Sequence, residues 1–145
     1  MSSFSDLINI LQAIAGLSKD IHYNLRGSAF IANHEYMDDV HNVVVPYIDE
    51  IKENYFMYND LEVPKSSSVY EESAKIIKDY CVENSEEDDD DLFCITGLIR
   101  IIKIAIYTCG ELSESNISDV GDKDLLGRLS TDLKKINALL GRIII

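Results

Sequence analysis

Five residues of this chain have the types and spacing for coordination chemistry: His22, His34, Asp38, Asp49 and Glu53. His34 and Asp38 stand four apart, as do Asp49 and Glu53. That spacing puts two side chains on one face of a helix. Imidazole nitrogen with carboxylate oxygen is a donor set suited to Fe(II), Zn(II) or Mn(II). Such pairs occur singly on any polar helix, so what matters is how the two pairs can meet. His34 and Asp49 are fifteen residues apart, which is roughly 22 Å along a helix rising about 1.5 Å per residue. One copy of that helix cannot bring both pairs to one ion. Two copies lying antiparallel across a two-fold axis can, because the His34/Asp38 end of one then faces the Asp49/Glu53 end of the other. Symmetry would generate two equivalent sites per dimer.

The hydrophobic pattern predicts the helices such an arrangement needs. Leu7, Leu11, Ile14, Leu17 and Ile21 recur at helical spacing from about Ser5 to Leu25, with Ser3 or Ser5 available as a cap. Arg26-Gly27-Ser28 interrupts the pattern. A second, more polar segment runs from about Ile31 to Tyr58, its period kept by Tyr36, Met37, Val40, Val44, Tyr47, Ile48, Ile51 and Tyr55. Val43-Val44-Val45-Pro46 has the local look of a strand end, but the period holds on both sides and predicts one long helix. Pro46 is expected to kink it, because its ring displaces one hydrogen bond and crowds the carbonyl of Asn42. Asn59 to Ser67 reads as a loop containing Pro64, and Ser68-x-x-Glu71 as a capping box opening a short helix from Val69 to about Cys81. An acidic stretch, Glu83 to Asp91, leads into a third long helix through Ile95, Leu98, Ile102, Ala105 and Cys109. Its run Glu86 to Asp91 suits a solvated helix N-terminus. Ser113 to Asp122 reads as a polar connection, followed by a fourth long helix through Leu126, Leu129, Leu133, Ile136, Leu140 and Ile143. The expected architecture is an all-α bundle of four long helices and one short connector, a single domain over residues 1–145.

Composition narrows the partners. The 145 residues carry 13 Lys plus Arg and 26 Asp plus Glu, a net charge of 13 − 26 = −13. An apolar content of 46% is enough for a core. The charge disfavours phosphate backbones and anionic membrane surfaces, and leaves cations as the natural partner. No apolar run approaches the roughly 20 residues of a membrane helix. Met-Ser-Ser-Phe-Ser-Asp lacks the basic region of a secretory signal. Cys81, Cys94 and Cys109 are odd in number, widely spaced and form no Cys-x-x-Cys pair, so they read as reduced, packed thiols in a cytoplasmic protein. His41, three residues after Asp38, reads as a solvated or hydrogen-bonded histidine.

His22-Tyr23-Asn24-Leu25-Arg26-Gly27, then Phe30-Ile31-Ala32-Asn33-His34-Glu35-Tyr36-Met37-Asp38, then Tyr47-Ile48-Asp49-Glu50-Ile51-Lys52-Glu53 resembles the mini-ferritins of the Dps type (DNA-binding proteins from starved cells). Asp124-Leu125-Leu126 and Asp132-Leu133-Lys134-Lys135 extend the resemblance to the last helix. It implies a ferritin-like four-helix bundle with a short extra helix between the second and third long helices. It further implies a hollow dodecamer with ferroxidase sites between two-fold-related subunits. His22, His34 and Asp38 would come from one subunit and Asp49 and Glu53 from its mate, with Glu53 bridging two iron positions. Fe(II) would be oxidised there, preferably by hydrogen peroxide, and kept as a ferric mineral, combining iron storage with protection against oxidative stress. The resemblance also implies an acidic three-fold pore near Asp119, Asp122 and Asp124; helix capping is the competing role for these residues. Tyr23 stands where the family usually has Trp, as a possible redox neighbour of the site, and Pro46 lies between the ligand pairs. Two alternatives follow from the same resemblance, a DNA-binding nucleoid protein and a shell that has lost ferroxidase activity. Direct DNA binding is not expected, since the first basic residue, Lys19, already lies inside the first helix and no basic tail is present.

Overall fold

The computed structural model describes residues 2–25, 30–81 and 90–143. The Arg26-Gly27-Ser28 break and the acidic residues Glu86 to Asp89 lie outside the described residues. Five α-helices follow one another: α1 Phe4–Asn24, α2 Phe30–Ile51, α3 Ser66–Tyr80, α4 Asp90–Glu114 and α5 Val120–Ile143. No strand occurs among the described residues. The four long helices form the bundle: α1 packs on α2 and α4, and α5 closes the square against the same two helices. The shorter α3 lies against α1 and α4.

α1 is the most enclosed helix because apolar residues occupy more than one face of it. Leu7, Ile8, Leu11, Ile14, Ala15, Leu17 and Ile21 are all buried. Its start is fixed by a capping box in which the Ser3 hydroxyl accepts from the Asp6 N–H at 3.1 Å and the Asp6 carboxylate accepts from the Ser3 N–H at 3.0 Å. Met37, Val40, Val44, Ile48 and Ile51 of α2, Leu98, Ile101, Ile102 and Leu112 of α4, and Leu126, Leu129, Leu133 and Leu140 of α5 complete one continuous core.

α2 runs unbroken through Pro46, whose side is exposed, and its continuation departs from a regular α-helix. Lys52–Phe56 forms a π-helical turn and Met57–Asn59 a 3-10 turn, ended by Asp60 in the left-handed region at φ 55°. The wide turn buries Phe56 and stacks Tyr55 on Phe4 at the start of α1, with ring centroids 4.0 Å apart. π turns commonly mark functional positions in helices, and this one carries Glu53.

Two predicted boundaries are corrected. α3 begins at Ser66 rather than Val69, its N-cap is Lys65, and the expected Ser68–Glu71 capping box does not form. Glu71 and Glu72 are instead drawn towards Lys75, at 3.9 and 3.2 Å, the preferred partners once the helix has started a turn earlier. The connection before α5 shrinks to residues 115–119, because Asp119 and Asp122 cap the helix at Val120.

Candidate metal centre

His22 stands in the last turn of α1, and His34 in the second turn of α2. The chain brings the two rings face to face, centroids 3.6 Å apart and planes 18° from parallel. Each ring is held by the other residue's backbone. His22 Nδ1 lies 2.6 Å from the His34 carbonyl oxygen, and His34 Nδ1 lies 2.6 Å from the His22 carbonyl oxygen. A carbonyl only accepts, so both Nδ1 atoms carry the proton. In the neutral ring the coordinating lone pair is then on Nε2. Metal-ligating histidines characteristically donate their other ring N–H in this way, which fixes tautomer and ring rotation together. The helix end assists, since the His22 carbonyl belongs to the last turn of α1, where carbonyls lack intrahelical donors.

Asp38, one turn along α2 from His34, is ion-paired and hydrogen-bonded with Lys19 of α1. The Lys19 ammonium holds the Asp38 carboxyl below the usual carboxylate range, with smaller help from His22 and His41. The same hydrogen bond pushes Lys19 up. Both side chains keep solvent contact, 29% for Lys19 and 38% for Asp38, so the pair is exchangeable rather than sealed. Lys19 therefore supplies the positive charge that balances Asp38 within one chain. In the sequence Lys19 lies three residues before His22, on one face of α1. Its lone positive charge there gave no sign of the partner on α2. Tyr23 is 71% exposed, edge-on to the His22 ring at 5.1 Å, with Lys19 Nζ 5.9 Å from its own ring centre. His41 is half-buried, with Nδ1 3.2 Å from Asn42 Oδ1.

Asp49 and Glu53 are not part of this cluster. α2 is continuous to Ile51, so the fifteen-residue interval from His34 to Asp49 stays roughly 22 Å long. Asp49 is exposed, and Glu53 is half-buried on the π turn. Among the described residues of one chain, no three His, Cys, Asp or Glu gather into a metal-holding group.

The residues at the start of α5 have structural work. Asp119 Oδ1 accepts from the Asp122 N–H at 2.7 Å, and Asp122 Oδ2 accepts from the Asp119 N–H at 3.0 Å, a reciprocal cap. Asp122 Oδ1 takes a further hydrogen bond from Asn54 at 2.7 Å, and the residue is only 2% exposed. Asp124 is exposed and pairs with Arg128 at 3.2 Å.

The chain's architecture matches a solved structure, Dps from Microbacterium arborescens in the high iron form, with a TM-score of 0.69. The match covers 94% of this chain and 86% of that one. The fold is that of a Dps protein. The two sequences are 20% identical, and what they share at that level is the ferritin-like bundle with its extra helix. No protein-family model matches this sequence, and no curated protein does. In the Dps fold the extra helix is α3, between the second and third long helices, where the sequence predicts it. No helix among the described residues is long and apolar enough to cross a membrane.

Proposed function

We propose that this chain is the subunit of a mini-ferritin that oxidises Fe(II) with hydrogen peroxide and stores the ferric product inside a hollow shell, a dodecamer. The observation that carries this is the His22–His34 pair, two stacked imidazoles with both Nδ1 protons committed to backbone carbonyls and both lone pairs therefore assigned to Nε2. The site is completed by a second copy across a two-fold axis, which contributes Asp49 and Glu53. Within one helix these lie too far from His34 to share its ion.

Each part has a chemical task. The imidazoles capture Fe(II), and the hard carboxylates Asp38, Asp49 and Glu53 favour Fe(III) as it forms. One peroxide takes one electron from each of two Fe(II) ions and, with two protons, leaves as two waters, so no hydroxyl radical is released. Iron entering at Asp38 displaces the Lys19 ammonium, exchanging one cation for another at a carboxylate already held ionised. Tyr23, exposed and edge-on to His22, would yield an electron if an oxidising equivalent escapes. At the pore near α5, Asp119 and Asp124 face solvent, while Asp122 acts as a cap.

Two measurements test the proposal. Mass in solution should be that of a closed multi-subunit shell. Anaerobic Fe(II) loading followed by peroxide should give rapid ferric absorbance. Oxidation no faster than in a protein-free blank would overturn the ferroxidase assignment while leaving the shell standing.

A further inference from the structure

The third helix ends against the fourth with sulfur on both sides. Cys81 follows Tyr80 as the C-cap of α3, its N–H donating to the Ile77 carbonyl at 2.8 Å. Its thiol is hydrogen-bonded with Cys94 of α4. Gly97, one turn beyond Cys94, makes this approach possible. A Cβ there would stand 2.7 Å from Cys81 Sγ and 2.8 Å from the Tyr80 carbonyl oxygen, so the end of α3 is seated on a gap in the α4 surface. Both cysteines are half-buried, whereas Cys109 is buried and lies fifteen residues further along α4 than Cys94. That interval is roughly 22 Å of helix, out of reach of either partner.

We propose that Cys81 and Cys94 are a peroxide-oxidised dithiol, forming a reversible intrachain disulfide that ties the end of α3 to α4. One thiolate attacks a peroxide oxygen; an S–O bond forms, the O–O bond breaks, and the departing hydroxide takes a proton to become water. The second thiolate attacks the resulting sulfenic sulfur; the S–S bond forms, the S–O bond breaks, and a second water leaves. Two thiols lose two electrons in all, and one hydrogen peroxide becomes two waters. At rest the pair is reduced. The hydrogen bond to Cys94, burial and the Asp20 carboxylate on α1 push the Cys81 thiol up, which lowers its thiolate fraction and slows its attack on peroxide. In sequence, the cross-link closes a ring over the twelve residues 82–93, which include the six consecutive acids Glu86 to Asp91.

The chemistry needs no iron, so its test stands apart from the ferroxidase test. Metal-free protein is incubated with hydrogen peroxide, denatured, alkylated with iodoacetamide and examined by intact mass and non-reduced peptide mapping. The expected product has lost about 2 Da, takes up one alkyl group, on Cys109, and yields a linked Cys81–Cys94 peptide that dithiothreitol releases. Cys81→Ser and Cys94→Ser each abolish the link. Gly97→Ala keeps both thiols yet slows linkage several-fold, because its Cβ displaces the Cys81 sulfur; if that variant does not fold, the wild-type peptide map decides. Three alkylated cysteines after peroxide would overturn the proposal, as would separate sulfinic or sulfonic acids at Cys81 and Cys94, or a link to Cys109.

Discussion

Where α1 ends and α2 begins, the hydrogen bonds of the histidines are made through N–H groups. His22 and His34 donate from Nδ1 to carbonyl oxygens. Where α5 begins, the hydrogen bonds of the carboxylates are made through oxygens, and Asp122 has one on each, from Asn54 and from the Asp119 N–H. Both clusters stand out in the sequence as metal-binding candidates. The two histidines use atoms that a metal does not need, and so orient the atoms that it does. The second cluster uses the very lone pairs a cation would require. Exposure points the same way, since the Lys19–Asp38 pair is open to solvent and Asp122 is almost sealed. A polar cluster is therefore best judged by which of its atoms the fold has already engaged.

That contrast can be broken by mutation. The largest effect is expected for His22→Ala combined with Glu53→Ala, which should lower peroxide-dependent Fe(II) oxidation by roughly 100-fold or more, to the protein-free rate. Stopped-flow ferric absorbance measures this, and melting should be little changed. Asp122→Ala should do the reverse. Losing the cap and the buried Asn54 hydrogen bond costs about 2 kcal/mol in urea unfolding, while iron oxidation by the folded protein is preserved. A fully stable Asp122→Ala protein that no longer turns over iron would invert the comparison.

A smaller effect belongs to the α2–α5 seam, where Tyr47 donates to Asp132 at 2.6 Å. Burial, then that hydrogen bond, pushes the Tyr47 phenol up to about 12. Between about pH 10, where the unfolded phenol ionises, and about 12 the native state holds the extra proton. Stability should therefore fall with rising pH across that window. Tyr47→Phe removes this alkaline contribution and costs about 1 kcal/mol at neutral pH, both readable from denaturant midpoints. The smallest effect is expected for Lys19→Met. With the competing ammonium gone, Fe(II) or Zn(II) should bind Asp38 a few-fold more tightly by calorimetry; unchanged or weaker binding would mean that Lys19 does not compete with the metal.

The helical period made most of the architecture legible. The apolar repeat in α1 and the repeats at Leu98–Ile102 and Leu126–Leu140 mark continuous buried faces, and α1 begins and ends within a residue or so of expectation. Local rules failed where competing local bonds were available. Ser68 and Glu71 have the letters of a capping box, but Ser66 and Ser67 extend α3 backwards and Glu71 turns to Lys75. The π turn at Lys52–Phe56 was hidden because one extra residue in a turn barely disturbs an amphipathic pattern. The site divides in the same way. Spacing singled out His22 and His34, but their exchange of carbonyls, the Lys19 counter-charge and the Cys81–Cys94 contact join residues on different helices. No periodicity along one helix reports such pairs.

The central claim, a metal site shared across a two-fold axis, is tested most directly by mixing two defective chains. One carries His22→Ala and His34→Ala, the other Asp49→Ala and Glu53→Ala. Each shell alone should be inactive. In a mixed two-fold pair, one of the two sites receives both intact halves, so random co-assembly at equal amounts should restore about a quarter of the wild-type oxidation rate. Co-assembled shells no more active than the separate ones would contradict the account.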